Sequence, residues 1–179
     1  LAFSFDTSFS IEHVYGHHRK VATRDDPATA RRGESLWFFI VRSTVSGFIS
    51  AWNYEKIRLK RSHQKNWLLR NKFISGQLMS LFYMFVFFII AGVVGGGVFI
   101  VLAVYSKAYL EAINYIEHYG LIRVPGAKVE EKHSWNSCHP ISSFFLFNLP
   151  RHADHHLNAI RPYWSLKVRE NAPSLPSGY

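Results

Sequence analysis

The sequence predicts an all-α, polytopic membrane helix bundle with a histidine-rich metal site on its cytoplasmic side. Three observations predict it. Phe73 to Tyr105 contains no charged residue, and the apolar run, extended to Tyr115, is nearly twice the ~20 residues that one helical span needs. Seven of the ten histidines fall in three acid-flanked motifs. A basic segment, Lys56 to Lys72, borders the apolar run, which is the charge bias of cytoplasmic loops.

Composition narrows the function classes. A chain of 179 residues argues for one domain. A net charge of +9 and a pI near 9.8 invite a nucleic-acid reading. Against it, 48% of the residues are hydrophobic and 16% aromatic, much of that in one run. Basic charge flanking a membrane span accounts for both facts, so no nucleic acid partner is expected. The single cysteine, Cys138, excludes an internal disulfide and a cysteine-rich zinc or iron–sulfur site.

Each element follows from its pattern. Leu1 to Ile11 reads as the cytoplasmic end of a membrane helix. In Glu12–His18, His13 and His17 share a helical face. His18 lies about 100° further round a regular helix, unless Gly16 lets the turn loosen. Arg19 to Gly33, with Asp25, Asp26 and Pro27, is expected to be a solvated loop. Trp37, Val41, Val45, Phe48 and Trp52 recur at helical spacing, which predicts an amphipathic helix over Glu34–Trp52 lying in the membrane interface. The segment Lys56–Lys72 suits anionic lipid or an acidic partner. His63 lies in it without an acidic neighbour and reads as a surface histidine.

The apolar run contains Gly92 and Gly95-Gly96-Gly97. Two helices, at about 75–93 and 98–117, joined by a glycine turn, account for its length. Such a hairpin returns His118 to the side where the run began, and Gly120 suits the cap of its helix. Lys107 and Glu111 lie four apart, as do Asn114 and His118. Arg123–Lys132 is a polar loop. His133 and His139 lack paired spacing and are assigned structural roles. Ile160–Tyr179, with Pro162, Pro173 and Pro176, reads as an extended tail over the cytoplasmic surface.

The candidate ligands are His13, His17, His18, His118, His152, His155 and His156. The last three stand at i, i+3 and i+4, one face of an α-helix, and Pro150 suits its first turn. Imidazole binds iron, copper and zinc, so residue type alone leaves the metal open. A solvated histidine cluster is the alternative. Asp154 is placed to orient a ligand imidazole through its second N–H, and Glu12, Asn114 and Glu117 are candidates for the same task.

Glu12–His18, the segment NYIEHYGL from Asn114 to Leu121, Ser134–Ser137 and Arg151–His156 resemble the histidine motifs of the integral-membrane alkane 1-monooxygenases. That family lies in the membrane fatty acid desaturase-like di-iron superfamily. The motifs share its order and similar spacing, and the resemblance runs to Leu175–Tyr179. The spacing His13–His18 is HxxxHH, where a desaturase is expected to show HxxHH. Cys138 stands where the family more often has Asn, Pro150 where it often has Gln, and Ala153 replaces a common Ser. The family's first box, of HExxH type, is absent from residues 1–179. The resemblance therefore implies the C-terminal part of a single membrane di-iron monooxygenase domain, with its hairpin at about 75–117, inactive by itself.

The resemblance further implies two non-haem iron ions and no catalytic side chain beyond their ligands. It implies dioxygen-dependent hydroxylation of an n-alkane to a 1-alcohol, with electrons from rubredoxin and rubredoxin reductase. It places the enzyme among membrane lipid in a bacterial inner membrane, with the metal site facing the cytoplasm. A membrane fatty-acid hydroxylase or desaturase, and a non-catalytic metal-binding membrane protein, remain as alternatives.

Overall fold

The computed structural model describes residues 1–62, 67–68 and 70–179. The expectation for His63 lies outside the described residues. The elements are α1 (Phe9–Glu12), a π-helical turn (His13–His17), α2 (His18–Lys20), α3 (Leu36–Arg61), α4 (Lys72–His118), α5 (Pro140–Phe145) and α6 (His152–Leu157), with short 3₁₀ turns between. Among the described residues there is no strand, only an isolated bridge between Asn136 and Ser174. The chain divides into two compact units. The first is Leu1–Gly16 with Ile40–Glu111; the second is His17–Phe39 with Ala112–Tyr179.

In the first unit α4 breaks at Ala91 (φ −134°, ψ 20°) and Gly92 (φ 59°, ψ −146°). Gly92 takes a conformation that side-chain-bearing residues avoid. The turn thus falls earlier than the expected Gly95–Gly97, which instead continue the second arm. Gly95 passes so close to the Phe87 carbonyl that no Cβ would fit there. The rings of Phe87 and Phe99 meet between the arms at 5.3 Å. The start of the first arm and the end of the second touch the same short segment. Gln77 Nε2 donates to Thr7 Oγ1 at 3.1 Å, and Lys107 Nζ to Asp6 Oδ2 at 3.1 Å. The chain has therefore folded back on itself.

That segment is not the helix expected over Leu1–Ile11. A 3₁₀ turn, Ala2–Ser4, ends at Phe5 in the left-handed region (φ 51°), and α1 starts only at Phe9. Asp6 and Thr7 are buried and their side chains face the hairpin, which a continuous helix would not allow. Lys107 also pairs with Glu111 at 2.6 Å, and Ser43 donates to Glu111 at 2.7 Å.

Helix α3 continues nine residues beyond the expected Trp52. Its buried stripe is Phe39, Ser43, Ala51, Glu55 and Leu59, while Trp37, Val41, Val45 and Phe48 point outward. Apolar residues on the outward face suit contact with lipid. Trp52 instead packs against the cluster Ile11–Ala51–Phe73. Helix α4 is long and apolar enough to cross a membrane, and Phe85, Ile89, Val93 and Val101 on its two arms are exposed. The chain is a membrane protein.

In the second unit Arg19–Gly33 is irregular, as expected, but it is not solvated. Val21, Ala22, Asp26, Ala28 and Ala30 are all buried. The Arg123 guanidinium donates to the carbonyls of Arg19, Val21 and Ala127, which satisfies a loop that water would otherwise have to solvate. The Tyr115 hydroxyl donates to the Glu34 carbonyl at 2.6 Å, and the Gly33 amide donates to the Tyr119 hydroxyl at 2.9 Å.

Candidate metal centre

The second unit gathers four histidines from three elements. His17 ends the π-helical turn, His118 ends α4, and His152 and His156 lie one turn apart on α6. All four are buried, and one ring nitrogen of each lies within 4.8 Å of all the others. His152 Nε2 is 3.0 Å from His118 Nε2 and 3.0 Å from His156 Nε2. Two ligands ~2.1 Å from one ion at a right angle stand ~3.0 Å apart. The spacing therefore fits nitrogens converging on a single ion.

Local structure explains how each ring is aimed. The His17 Nδ1 lies 2.9 Å from Asp26 Oδ2. A carboxylate on Nδ1 directs Nε2 to the centre. Asp26 is itself held by the Thr29 hydroxyl and the Ala28 amide. Burial would raise its carboxyl, but His17 and Thr29 outweigh that and hold it below its ordinary value. Asp26 was read from sequence only as loop polarity. The signal was an acid before proline with Thr29 three residues on, which is a turn signature, and nothing in it points at His17.

His118 sits where α4 stops, with Gly120 (φ 70°) two residues on and its amide bonded to the Ala30 carbonyl at 3.0 Å. The Trp135 amide donates to the Glu117 carbonyl at 2.9 Å, and its indole to the Tyr119 carbonyl at 3.0 Å. Asn114, four residues before His118, is buried. At the start of α6 the Asn136 side chain accepts the Ala153 amide at 3.0 Å. Asn136 thus positions the helix that presents His152 and His156.

Asp154 does not serve the imidazoles as the sequence suggested. Its oxygens accept from Arg161 at 2.7 Å, from Arg169 at 2.5 and 2.8 Å, from Asn158 at 3.0 Å and from the Lys167 amide at 2.8 Å. Burial would raise this carboxyl, but the Lys167 amide and the two guanidiniums hold it below its ordinary value. On α6 the position between His152 and His155 turns toward the C-terminal segment, so Asp154 staples that segment instead. The C-terminal segment is thereby tied to α6 at Arg161, Lys167 and Arg169.

His18 and His155 form a second convergence in this unit, half-buried, with rings 4.7 Å apart. Burial, then His155 and His17, holds His18 down at about 3. Burial, then His17, holds His155 at about 4. Burial likewise pushes His156 well below its ordinary value. Neutral imidazole is the form that binds metal, and these rings are neutral at pH 7.

His13 belongs to the first unit, its ring stacked on Phe9 at 4.6 Å. Glu12 is buried beside it. A methyl group on Gly16 would collide with the Glu12 carboxylate. Glu12 thus packs against the π-helical turn, and glycine is the residue that permits it. His133 is in neither set, its Nδ1 accepting the Glu130 amide at 2.9 Å, and His139 is exposed at the N-cap of α5.

Comparison with known proteins identifies the family of the chain. The profile of the fatty acid desaturase family matches residues 1–170. The chain is 38% identical over 179 residues to an alkane 1-monooxygenase of Ectopseudomonas oleovorans, covering 96% of this chain and 44% of that protein. It is 40% identical over 176 residues to alkane 1-monooxygenase 2 of Alcanivorax borkumensis, covering 96% and 46%. It is 29% identical over 172 residues to the xylene/toluene monooxygenase hydroxylase component of Pseudomonas putida, covering 96% and 47%. The chain spans less than half the length of these curated relatives.

Proposed function

Since the chain belongs to the fatty acid desaturase family, we propose that it carries metal ligands of a non-haem di-iron alkane 1-monooxygenase. The observation that carries the proposal is the buried convergence of His17, His118, His152 and His156. Its chemistry fits: four imidazoles suit a borderline divalent ion, and Asp26 orients one of them. These four hold one iron. His18 and His155 hold a second, and His13 is a further ligand. Glu12 and Asn114 support the neighbouring ligands. In residues 1–179 the histidines thus form the C-terminal part of one domain's metal site.

The substrate is a linear alkane, hydroxylated at its terminal carbon to a 1-alcohol. Such a C–H bond offers no acid, base or leaving group, so side chains alone cannot activate it. The bound irons supply dioxygen activation, with one oxygen atom entering the alcohol and the other leaving as water. The residues of this chain have other tasks. The apolar hairpin of α4 sits in lipid, where an alkane partitions, and the buried histidines present their ring nitrogens to the metal. Electrons come from rubredoxin and rubredoxin reductase, and the basic segment Lys56–Lys72 suits an acidic donor. The enzyme lies in the bacterial inner membrane with the site facing the cytoplasm.

Support comes from the relatives named alkane 1-monooxygenase and from the HxxxHH spacing. The desaturase profile favours one alternative, an enzyme acting on a fatty acyl chain. Gas chromatography after incubating the complete protein with octane, palmitate, reduced rubredoxin and dioxygen separates the two. Octan-1-ol is the expected product. Hydroxylated or unsaturated acyl product without octanol would replace the alkane reading. Reversing the charges of Lys60 and Arg61 should slow electron transfer from rubredoxin and flatten its salt dependence; unchanged rates would remove the docking assignment.

A further inference from the structure

The first arm of α4 carries a surface that the metal centre does not use. Lys72, Ser75, Gly76, Met79 and Tyr83 stand at i, i+3, i+4, i+7 and i+11, which puts them on one face of the helix. That face lines an open groove of about 660 Å³. The opposite wall comes from residues 2–10, with Phe3, Thr7 and Ser10. All of these residues belong to the first unit. Gly76 lets the two walls approach between the ends of the groove. A Cβ there would strike Thr7, and Gln77 Nε2 donates to Thr7 Oγ1 at 3.1 Å. Further along, the rings of Phe3 and Tyr83 meet at 4.3 Å.

The groove changes character along its length. Arg70, Lys72 and Ser75 line one end, all three exposed, and Phe3, Met79 and Tyr83 line the other. Among the described residues no carboxylate lines it. Glu55, the acid that meets the start of α4, is committed elsewhere. Its two oxygens accept from Arg58, each at 2.7 Å, and Oε1 also accepts the Lys72 amide at 2.5 Å. The lining of the first end is therefore cationic. Lys72 opens the membrane hairpin, so this end lies at the membrane surface. Tyr83, eleven residues on, lies about 16 Å deeper along the helix axis. Cations and a hydroxyl at the surface, with an apolar and aromatic wall below them, follow the order of groups in a phospholipid. A phosphate takes up the cations and hydroxyl donors, and an acyl chain covers the apolar wall. An alkane would gain nothing from the cationic end. An acidic protein segment would leave the apolar end unfilled.

We propose that this groove binds one anionic phospholipid, with its phosphate at Arg70 and Lys72 and one acyl chain along Met79, Tyr83 and Phe3. A lipid seated there bridges residues 2–10 to the first arm of α4. The inference needs only the membrane placement of α4, not the metal-centre reading.

The test is native mass spectrometry of the complete protein in detergent, titrated with phosphatidylglycerol and, separately, with phosphatidylcholine of the same acyl chains. Each cation beside an anionic lipid contributes about fivefold in affinity, so the parent should hold one phosphatidylglycerol about 25-fold more tightly than phosphatidylcholine. Arg70→Gln combined with Lys72→Gln should remove that preference. Lys60→Gln combined with Arg61→Gln removes the same charge outside the groove and should leave lipid binding as in the parent. Met79→Trp fills the apolar end and should displace the lipid. Glycerophosphoglycerol, the headgroup without acyl chains, should not bind at the same concentrations. Equal affinity for the two lipids in the parent, or a preference that survives without Arg70 and Lys72, overturns the proposal. An equal loss in the Lys60 and Arg61 variant also overturns it, since the attraction would then be diffuse. Headgroup binding as tight as that of the lipid overturns it too, in favour of a site for free phosphate esters. If the Arg70 and Lys72 variant fails to accumulate, Met79→Trp decides: phosphatidylglycerol bound as in the parent overturns the proposal, and its loss supports it.

Discussion

The two histidine triplets solve the same problem with different helices. His152, His155 and His156 stand at i, i+3 and i+4, and α6 is an ordinary α-helix over them. His13, His17 and His18 stand at i, i+4 and i+5, and the backbone over His13–His17 is π-helical. A π turn closes five residues apart where an α turn closes four. The extra residue is thus taken up by one wide turn. The triplets also differ in what their nearby acids do. Asp26, from a neighbouring loop, binds the far nitrogen of His17, whereas Asp154, inside its own triplet, binds arginines of the C-terminal segment. A spacing of histidines therefore does not by itself specify the helix that carries it or the acid that serves it.

The largest expected effect comes from removing a buried donor. His17→Ala or His118→Ala should lower bound iron and cut alkane hydroxylation by more than about 100-fold in the complete protein. Elemental analysis with gas chromatography of the alcohol checks it. Full iron in His118→Ala would remove His118 from the ligand set.

The π turn can be attacked directly. Deleting Tyr15 would convert HxxxHH to HxxHH and make the two triplets alike in spacing. Gly16→Ala keeps the spacing but drives a methyl group into Glu12. Both should weaken iron binding by ~10–100-fold, and Gly16→Ala should cost ~1–3 kcal/mol of stability through overpacking. Parental iron affinity after the Tyr15 deletion would show that the wide turn is incidental.

The acids should separate in kind. Asp26→Asn should weaken iron binding by ~10–100-fold with little loss of stability. Asp154→Asn should do the reverse: it leaves the arginine cluster without its charge, costs on the order of 3 kcal/mol and leaves the spectrum of bound iron as in the parent. Thermal melting and iron titration of the two variants sort them. Equal effects on metal affinity would erase the distinction.

A smaller effect concerns pH. His18 and His155 are held at about 3 and about 4 in the folded chain, against ~6.5 when unfolded. Between those values the unfolded state binds more protons. Stability from these rings is thus fully present above pH ~6.5 and is lost as pH falls through that window toward 4 and 3. The melting point of metal-free protein should drop steadily from pH 7 to pH 4. A flat profile would mean that the two rings are protonated alike in both states.

The sequence by itself determined the features set by local pattern. The uncharged run and its basic flank marked the membrane hairpin, because lipid leaves no other place for so many apolar residues. The motif spacing singled out four histidines that the second unit brings together. Tertiary structure alone decided the rest. The turn falls at Gly92 rather than Gly95–Gly97 because close packing against the Phe87 carbonyl reserves Gly95 for the helix. Asp26 meets His17 because Arg123 satisfies the carbonyls around it and lets a polar loop be buried. The Tyr179 hydroxyl meets the Trp135 carbonyl because Asp154 anchors the segment that leads to it. Each of these joins residues distant along the chain, and periodicity reports only on neighbours within a turn or two. Which polar groups are buried, and which partner satisfies each, is settled only when the chain has folded.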